Sequence, residues 1–120
     1  MARSTKQQVF AAVTAYQKAT RHLRARLEEV DRGLAAFVDL IRTDEPVAAL
    51  LLGTGASSNR QQFAEAMNDF EETRRQLRTA LLRLGAEREE SIADMARALG
   101  ISRQLAYRHL AISNAAESAT

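Results

Sequence analysis

The sequence contains no cysteine and no tryptophan, and it has only one proline and five glycines in 120 residues. The lack of cysteine excludes disulfides, a thiolate nucleophile and cysteine-ligated metals, and it is typical of a reducing compartment. The two histidines, His22 and His109, do not form a metal-ligand spacing such as H-x-x-x-H. Adjacent acids such as Glu28 and Glu29 point in different directions on a helix and are poor acid–base pairs. We therefore expect no metal site, no cofactor and no enzymatic activity.

The sequence also lacks long apolar runs and a strong excess of charge. No run approaches the roughly 20 apolar residues that a membrane span requires. The N-terminal stretch MARSTKQQ has no apolar signal-peptide core. The net charge of +2 does not by itself indicate a nucleic-acid partner, but the chain from Arg97 onward is locally basic. We expect a cytoplasmic protein with no membrane partner.

Apolar residues in the first third of the chain repeat at alternating steps of four and three. This spacing predicts a long helix, about Ser4 to Arg42, with a heptad seam that packs against another helix. The helix start is predicted by the capping-box spacing Ser4-Thr5-Lys6-Gln7. The seam positions are Val9, Val13, Tyr16, Thr20, Leu23, Leu27, Val30, Leu34, Phe37 and Ile41.

A second long helix is predicted from about Gln61 to Leu84, after a short apolar helix from Val47 to Leu52. Two long helices joined in this way favour an antiparallel hairpin. Gly85 and Gly100 are expected to break later helices.

The segments on either side of the short helix contain helix-start and turn patterns. Thr43-Asp44-Glu45-Pro46 predicts a helix start with a capping side chain and a proline in the first turn. The run GTGASSN at residues 53–59 predicts a turn, and Ser58-Asn59-Arg60-Gln61 predicts a further capping box.

The apolar face of the first helix is wider than one hairpin partner can bury. Burying an exposed large apolar side chain contributes about 1.5 to 3 kcal/mol, which favours pairing with a second copy. The predicted dimerisation residues are Val13, Tyr16, Leu23, Leu27, Val30, Leu34 and Phe37.

The C-terminal third, ESIADMARALGISRQLAYRHLAI, predicts two helices separated by a short turn. Ser91 and Ser102 are each placed to cap a helix, and Gly100 is placed where the chain leaves the first helix with a positive φ. Ala96, four residues before that glycine, is small enough for the second helix to cross closely. Ile101 is expected to return to the core.

This pattern, and "GISRQLAYRHL" in particular, resembles the helix-turn-helix of bacterial transcription regulators. It is most similar to the C-terminal DNA-binding segment of the site-specific resolvase and invertase family. The resemblance covers about 20 of 120 residues, and nothing upstream resembles a resolvase catalytic domain. It therefore implies DNA binding and not recombination. Ala106 stands where that family usually has Val, Ile or Leu, so we expect either a slightly rotated second helix or contact of Leu105 with a thymine methyl or another helix.

The second helix of this motif carries side chains suited to reading DNA. Arg103 and Arg108 can each bridge guanine O6 and N7, and Gln104 can pair with adenine N6 and N7. Tyr107 suits a phosphate or a thymine methyl, and Ser102 can hold a phosphate at the helix N-terminus. The candidate DNA-binding residues are Arg97, Ser102, Arg103, Gln104, Tyr107 and Arg108.

The sequence thus predicts an all-α protein. Residues 1–86 form a long antiparallel helical hairpin for dimerisation, residues 87–113 a helix-turn-helix, and residues 114–120 a flexible tail. The predicted function is that of a homodimeric, sequence-specific DNA-binding protein, a transcriptional regulator that inserts residues 103–112 in the major groove and associates with the nucleoid when bound. The alternative is a helical interaction or scaffold module without DNA binding. A small-molecule effector is left open.

Overall fold

The structure is a computed structural model that describes residues 3–119, with side chains described for residues 3–112. Within this range the chain forms five helices and no strand, so the all-α prediction is confirmed. The helices are α1 (Thr5–Ile41), α2 (Val47–Thr54), α3 (Ala56–Glu87), α4 (Ile92–Leu99) and α5 (Arg103–Ala119). Among the described residues, no helix combines the length and the apolar character needed to cross a membrane.

The start of α1 is the predicted capping box. The Ser4 hydroxyl accepts a hydrogen bond from the Gln7 backbone N–H at 3.1 Å, and the Gln7 side-chain oxygen accepts one from the Ser4 N–H at 2.9 Å. Two backbone donors that a helix start leaves unpaired are thereby satisfied. The helix then runs without a break through Gly33 to Ile41.

The predicted side-chain cap of α2 is wrong. The residue at the N-cap is Pro46, and no side-chain hydrogen bond caps this helix. The Thr43 hydroxyl instead donates to the Leu40 carbonyl oxygen at 2.7 Å, so it serves the end of α1. Asp44 follows in the left-handed region with φ of 58° and turns the chain between the two helices.

The predicted loop at residues 53–59 is much shorter in the structure. Gly55, with φ of 68°, ends α2 and donates its N–H to the carbonyl oxygens of Leu51 and Leu52. Because this single left-handed residue turns the chain, α3 begins directly at Ala56. Ser58 therefore lies inside the first turn of α3, and the capping box predicted at this serine is wrong.

Gly85 does not break α3, which continues to Glu87. The residue is buried, and a Cβ added there would collide with the side chain of Met95 in α4. The glycine thus permits close approach of α4 to α3. The predicted break at this position is wrong because the glycine serves packing rather than a turn.

The contacts within the chain define two units. One contains residues up to Tyr16 together with Glu72 onward, and the other contains Gln17–Glu71. Segments of α1 and α3 occur in both. α5 continues to Ala119, so residues 114–119 of the predicted tail belong to this helix, while Thr120 lies outside the described residues.

Candidate functional site

Both helices of the C-terminal pair have the predicted serine caps. The Ser91 hydroxyl accepts a hydrogen bond from the Asp94 N–H at 3.3 Å, at the start of α4. The Ser102 hydroxyl accepts one from the Leu105 N–H at 3.0 Å, at the start of α5. Such caps stabilise a helix start by about 0.5 to 2 kcal/mol.

The turn between α4 and α5 is built on Gly100, which has φ of 71°. Its N–H donates to the Arg97 carbonyl oxygen at 3.2 Å, and the Ile101 N–H donates to the Ala96 carbonyl oxygen at 3.0 Å. These bonds satisfy carbonyls at the end of α4 and fix the direction in which the chain leaves it. The positive φ predicted for this glycine is confirmed.

Replacing Gly100 with alanine should lower the free energy of unfolding by about 1 to 2 kcal/mol, because an L-residue is strained in this conformation. A Cβ here meets no atom within 4 Å, so the effect isolates the backbone. Gly53→Ala is the matched control: this glycine is helical, lies outside the left-handed region and also has open space. Thermal and urea unfolding should show a loss of stability for Gly100→Ala and none for Gly53→Ala. Equal losses in the two variants would contradict the strain expected at Gly100.

One small core packs the C-terminal pair onto α3. Leu82 of α3, Ala96 of α4 and Ala106 of α5 are buried together, and Leu82 and Ala106 have no exposed surface. Partly buried side chains surround them: Ile92, Met95, Leu99, Ile101 and Leu110. Two alanines at the contact allow α4 and α5 to approach closely. Ala106 is therefore the inward residue of α5, and Leu105 is half-buried beside it.

The opposite face of α5 is polar and exposed. Arg103, Gln104, Tyr107 and Arg108 all lie on this face, and 55% of Tyr107 is exposed. Their spacing of one, three and four residues keeps them on one side of a helix. The structure thus gathers four of the six candidate residues on one surface.

The other two candidates lie at the two sides of the turn. Ser102 is exposed, and its hydroxyl is already engaged as a cap. Arg97 projects from the last turn of α4, with its guanidinium 3.5 Å from the Asp94 carboxylate. Both side chains of this pair are exposed, and such pairs contribute only about 0 to 1 kcal/mol. The pair therefore does little to fix the position of Arg97.

The sequence patterns did not predict a basic cluster that Arg75 and Arg78 of α3 form with Arg108 and His109 of α5. His109 Nδ1 lies 3.2 Å from the Thr79 hydroxyl oxygen. The pKa of His109 is lowered from 6.5, first by burial and then by the positive charges of Arg78, Arg75 and Arg108. The spacing of these residues could have indicated the cluster. Residues 75, 78 and 79 lie seven, four and three positions before Leu82, on the helix face that packs against α5.

This cluster predicts a pH dependence of stability. The unfolded chain binds a proton at His109 near pH 6.5, whereas the folded chain binds it only at lower pH. The free energy of unfolding should therefore fall as the pH drops from 7 through 6.5, until the lower folded pKa is passed. Urea titrations at several pH values should show a smaller fall in the free energy of unfolding for His109→Gln than for the wild type. An equal dependence on pH in the two proteins would contradict this role of His109.

The predicted dimerisation residues are divided between the two units. Val13 and Tyr16 lie in the first, and the rest lie in the second. Leu23 is buried within its own chain, so it offers no surface to a second copy. Phe37 is half-buried. The remaining predicted dimerisation residues of the second unit are exposed: Leu27, Val30 and Leu34.

The second unit contains a cavity of about 430 Å³ next to this seam. Its walls include Leu27, Leu34 and Phe37 from α1 and Phe63 from α3. Arg26 also lines it and donates to Glu29 and Gln62, each at 2.8 Å, while its buried Nε has no hydrogen-bond partner among the residues that the structure describes. A buried donor without an acceptor is costly.

Comparison with known proteins found no matching family model, no matching curated protein and no matching solved structure. In the part of the chain that the structure describes, no group of three or more His, Cys, Asp or Glu side chains is placed to hold a metal ion.

Proposed function

We propose that this chain is a homodimeric, sequence-specific DNA-binding protein that regulates transcription, and that it is a binding protein rather than an enzyme. In this proposal α4 and α5 form a helix-turn-helix, and α5 enters the major groove. The observation that carries the proposal is the exposed set Arg103, Gln104, Tyr107 and Arg108 on a helix whose opposite face is anchored by Ala106.

The geometry of the pair suits this role. A recognition helix must be fixed against its scaffold while its N-terminal half stays exposed to base edges. Here Ser102 caps α5, Gly100 sets the turn, and the core residue Leu82 holds both helices on α3. The side chains are consequently presented from a rigid element, as site-specific readout requires.

The exposed side chains have two roles in the proposed recognition, namely contacts to bases and contacts to phosphates. Arg103, Gln104 and Arg108 have the donors that pair with guanine and adenine edges, and each good bidentate contact discriminates by about 1 to 3 kcal/mol. Tyr107 and Arg97 are suited to phosphates, which set position rather than sequence preference. Arg75 and Arg78, which sequence reasoning missed, add positive potential beside α5.

We further propose that α1 and α3 form the long antiparallel hairpin expected from their seams. Within the first unit, the Arg83 guanidinium donates to the Gln8 side-chain oxygen at 2.7 Å. Within the second unit, Arg26 donates to Gln62 at 2.8 Å. An early position of α1 thus pairs with a late position of α3, and a later one with an earlier one, as in antiparallel helices.

The seam of the second unit is the proposed dimer interface, and its occupant is a second copy of the chain. Leu27, Val30, Leu34, Phe37 and Ile41 follow steps of three and four, which is the spacing that accepts a like seam by knobs-into-holes packing.

Exposed apolar side chains also occur on α2, where 85% of Leu52 is exposed and Val47 and Leu51 are exposed as well. Leu51 lines the same cavity as Leu27 and Leu34. Large exposed apolar side chains that lie close together mark an association site. The adjacent cavity provides room for side chains of the second copy, and the unpaired Arg26 Nε provides a donor to it.

Dimerisation also serves DNA reading. A dimer carries two copies of α5, and two recognition helices related by a twofold axis meet successive major grooves about 34 Å apart on a palindromic site. Each half-site contact then contributes to the same complex, which raises affinity and discrimination together.

The test is a fluorescence-anisotropy titration of the protein with duplexes that span the DNA upstream of its own coding sequence, against a random duplex, at two salt concentrations. We expect one duplex to bind tightly in the presence of random competitor, with affinity falling as salt rises. Equal and weak binding of all duplexes at low salt would contradict the proposal.

A further inference from the structure

Positive charge is concentrated at the start of the chain. Six of the 17 basic residues and none of the 15 acidic residues come before Glu28. The first 27 residues therefore have a net charge of +6, whereas the rest of the chain, with 11 basic and 15 acidic residues, has a net charge of −4. The overall charge of +2 combines these two unequal parts. An anionic partner is consequently attracted to the first part.

Three of these cations lie next to one another on α1, within the second unit. Lys18, Arg21 and Arg24 are exposed and follow one another at steps of three residues. Such steps keep them on one side of the helix, about 4.5 Å apart along its axis. We call these three residues the α1 cationic surface.

No acid neutralises the α1 cationic surface within the described part of the chain. Its three side chains make neither a hydrogen bond nor an ion pair with another described residue. Arg26, the next cation along the helix, differs because it is paired with Glu29 at 2.8 Å. Glu65 of α3 accepts a hydrogen bond from Gln61 of its own helix at 3.4 Å. The charge of the surface is therefore available to an external anion.

The surroundings of the α1 cationic surface favour a nucleic acid over a lipid bilayer. A helix that lies on an anionic membrane combines its cations with large exposed apolar side chains. From Gln17 to Arg26, all of which the structure describes, no large apolar side chain is exposed, and Leu23 is buried in its own chain. A polar, cationic surface of this kind suits a DNA strand, which carries one negative charge per about 3.4 Å of helix axis.

We propose that the α1 cationic surface is a second DNA-contact surface, at which Lys18, Arg21 and Arg24 bind the phosphate backbone. This inference rests on the proposed function, since it adds a second contact to the same DNA. Phosphate contacts contribute affinity and salt dependence but carry no sequence information. The α5 side chains therefore discriminate between sequences, and the α1 cationic surface raises the affinity for every duplex.

The test compares two variants that lose the same charge. The surface variant replaces the three cations with glutamine: Lys18→Gln, Arg21→Gln and Arg24→Gln. The matched control changes three exposed arginines that lie elsewhere: Arg32→Gln, Arg42→Gln and Arg88→Gln. Glutamine is about as good a helix former as lysine and arginine, so both variants should keep the circular dichroism of the wild type.

Fluorescence anisotropy then measures the affinity for the upstream and random duplexes over a range of salt concentrations. The surface variant should bind every duplex at least about tenfold more weakly than the control at low salt. Its slope of log affinity against log salt should be smaller by about 2 to 3, because each lost phosphate contact removes about 0.9. The preference for one duplex over another should be unchanged. A single Arg21→Gln substitution, which disturbs the fold least, should lower the slope by about 0.9.

The outcomes separate this inference from the proposed function. Equal affinities and slopes for the surface variant and the control, in protein that prefers one duplex, would overturn the inference and leave sequence reading by α5 standing. Weaker binding by the surface variant, in protein that shows no preference among duplexes, would support the surface and contradict sequence reading. Loss of binding to phosphatidylglycerol vesicles in the surface variant, with DNA binding unchanged, would assign the surface to a membrane and overturn the inference.

Discussion

Arg103→Glu should abolish sequence-specific DNA binding and leave the fold unchanged. Arg103 is exposed in the first turn of α5, so its replacement disturbs no buried contact. Loss of one bidentate base contact costs about 1 to 3 kcal/mol, or roughly 5- to 150-fold in affinity. The new carboxylate also repels the phosphates, and we expect a loss of at least about 100-fold in a fluorescence-anisotropy titration.

The matched control is Arg32→Glu, which makes the same charge change at an exposed position of α1 in the second unit. It should lower DNA affinity only slightly, and circular dichroism should be unchanged for both variants. Equal losses in the two variants would show that binding follows overall charge and not the α5 surface. If neither variant changes the DNA affinity, the alternative of a protein-interaction module is favoured.

Leu34→Glu should convert the proposed dimer into a monomer. Leu34 is 60% exposed in the single chain, so the substitution leaves the fold of the monomer largely untouched. In the proposed dimer the same residue lies in the middle of the seam, where an unpaired carboxylate would be buried at a cost of several kcal/mol. Sedimentation equilibrium should give twice the 13.3 kDa chain mass for the wild type and the chain mass for the variant.

Ala36→Glu is the control for this experiment. The residue is exposed on α1 two positions from Leu34, and it lies outside the heptad seam. The control protein should stay dimeric and bind DNA as the wild type does. A wild-type chain that sediments as a monomer at micromolar concentration would refute the seam as a dimer interface. Leu34→Glu should also weaken DNA binding, because one half-site contact is lost.

Sequence patterns predicted the elements whose signals are local and redundant. The heptad steps extend over the whole of α1, and the capping pairs at Ser4, Ser91 and Ser102 are each made as expected. Gly100 could be assigned because a left-handed residue followed by a capping serine leaves few other conformations for a turn.

The connections between helices were harder to predict, because one side chain can make a hydrogen bond to the end of one helix or to the start of the next. The run Thr43-Asp44-Glu45-Pro46 predicts a side-chain cap for α2, yet the Thr43 hydroxyl donates to a carbonyl oxygen at the end of α1. Ser58 has the spacing of a cap, but Gly55 alone turns the chain and leaves Ser58 within a helix. Local sequence does not encode which of two competing hydrogen bonds forms, since the choice depends on where the helices pack.

Tertiary contacts explain the remaining differences. Gly85 looks like a helix break in sequence and is instead the point at which Met95 packs closely against α3. The exposed face of α5 followed from its periodicity, whereas the cluster of Arg75, Arg78 and His109 required knowing that α3 packs against α5.

Whether α5 reads a DNA sequence as part of a dimer can be tested by selecting binding sites from a random duplex pool with the wild-type protein and with Arg103→Glu. The wild type should enrich a palindrome with half-site centres about 10 base pairs, or 34 Å, apart. The variant should enrich nothing. A pool that remains unenriched after repeated rounds with the wild type, at low salt and with the protein folded, would contradict sequence reading by α5.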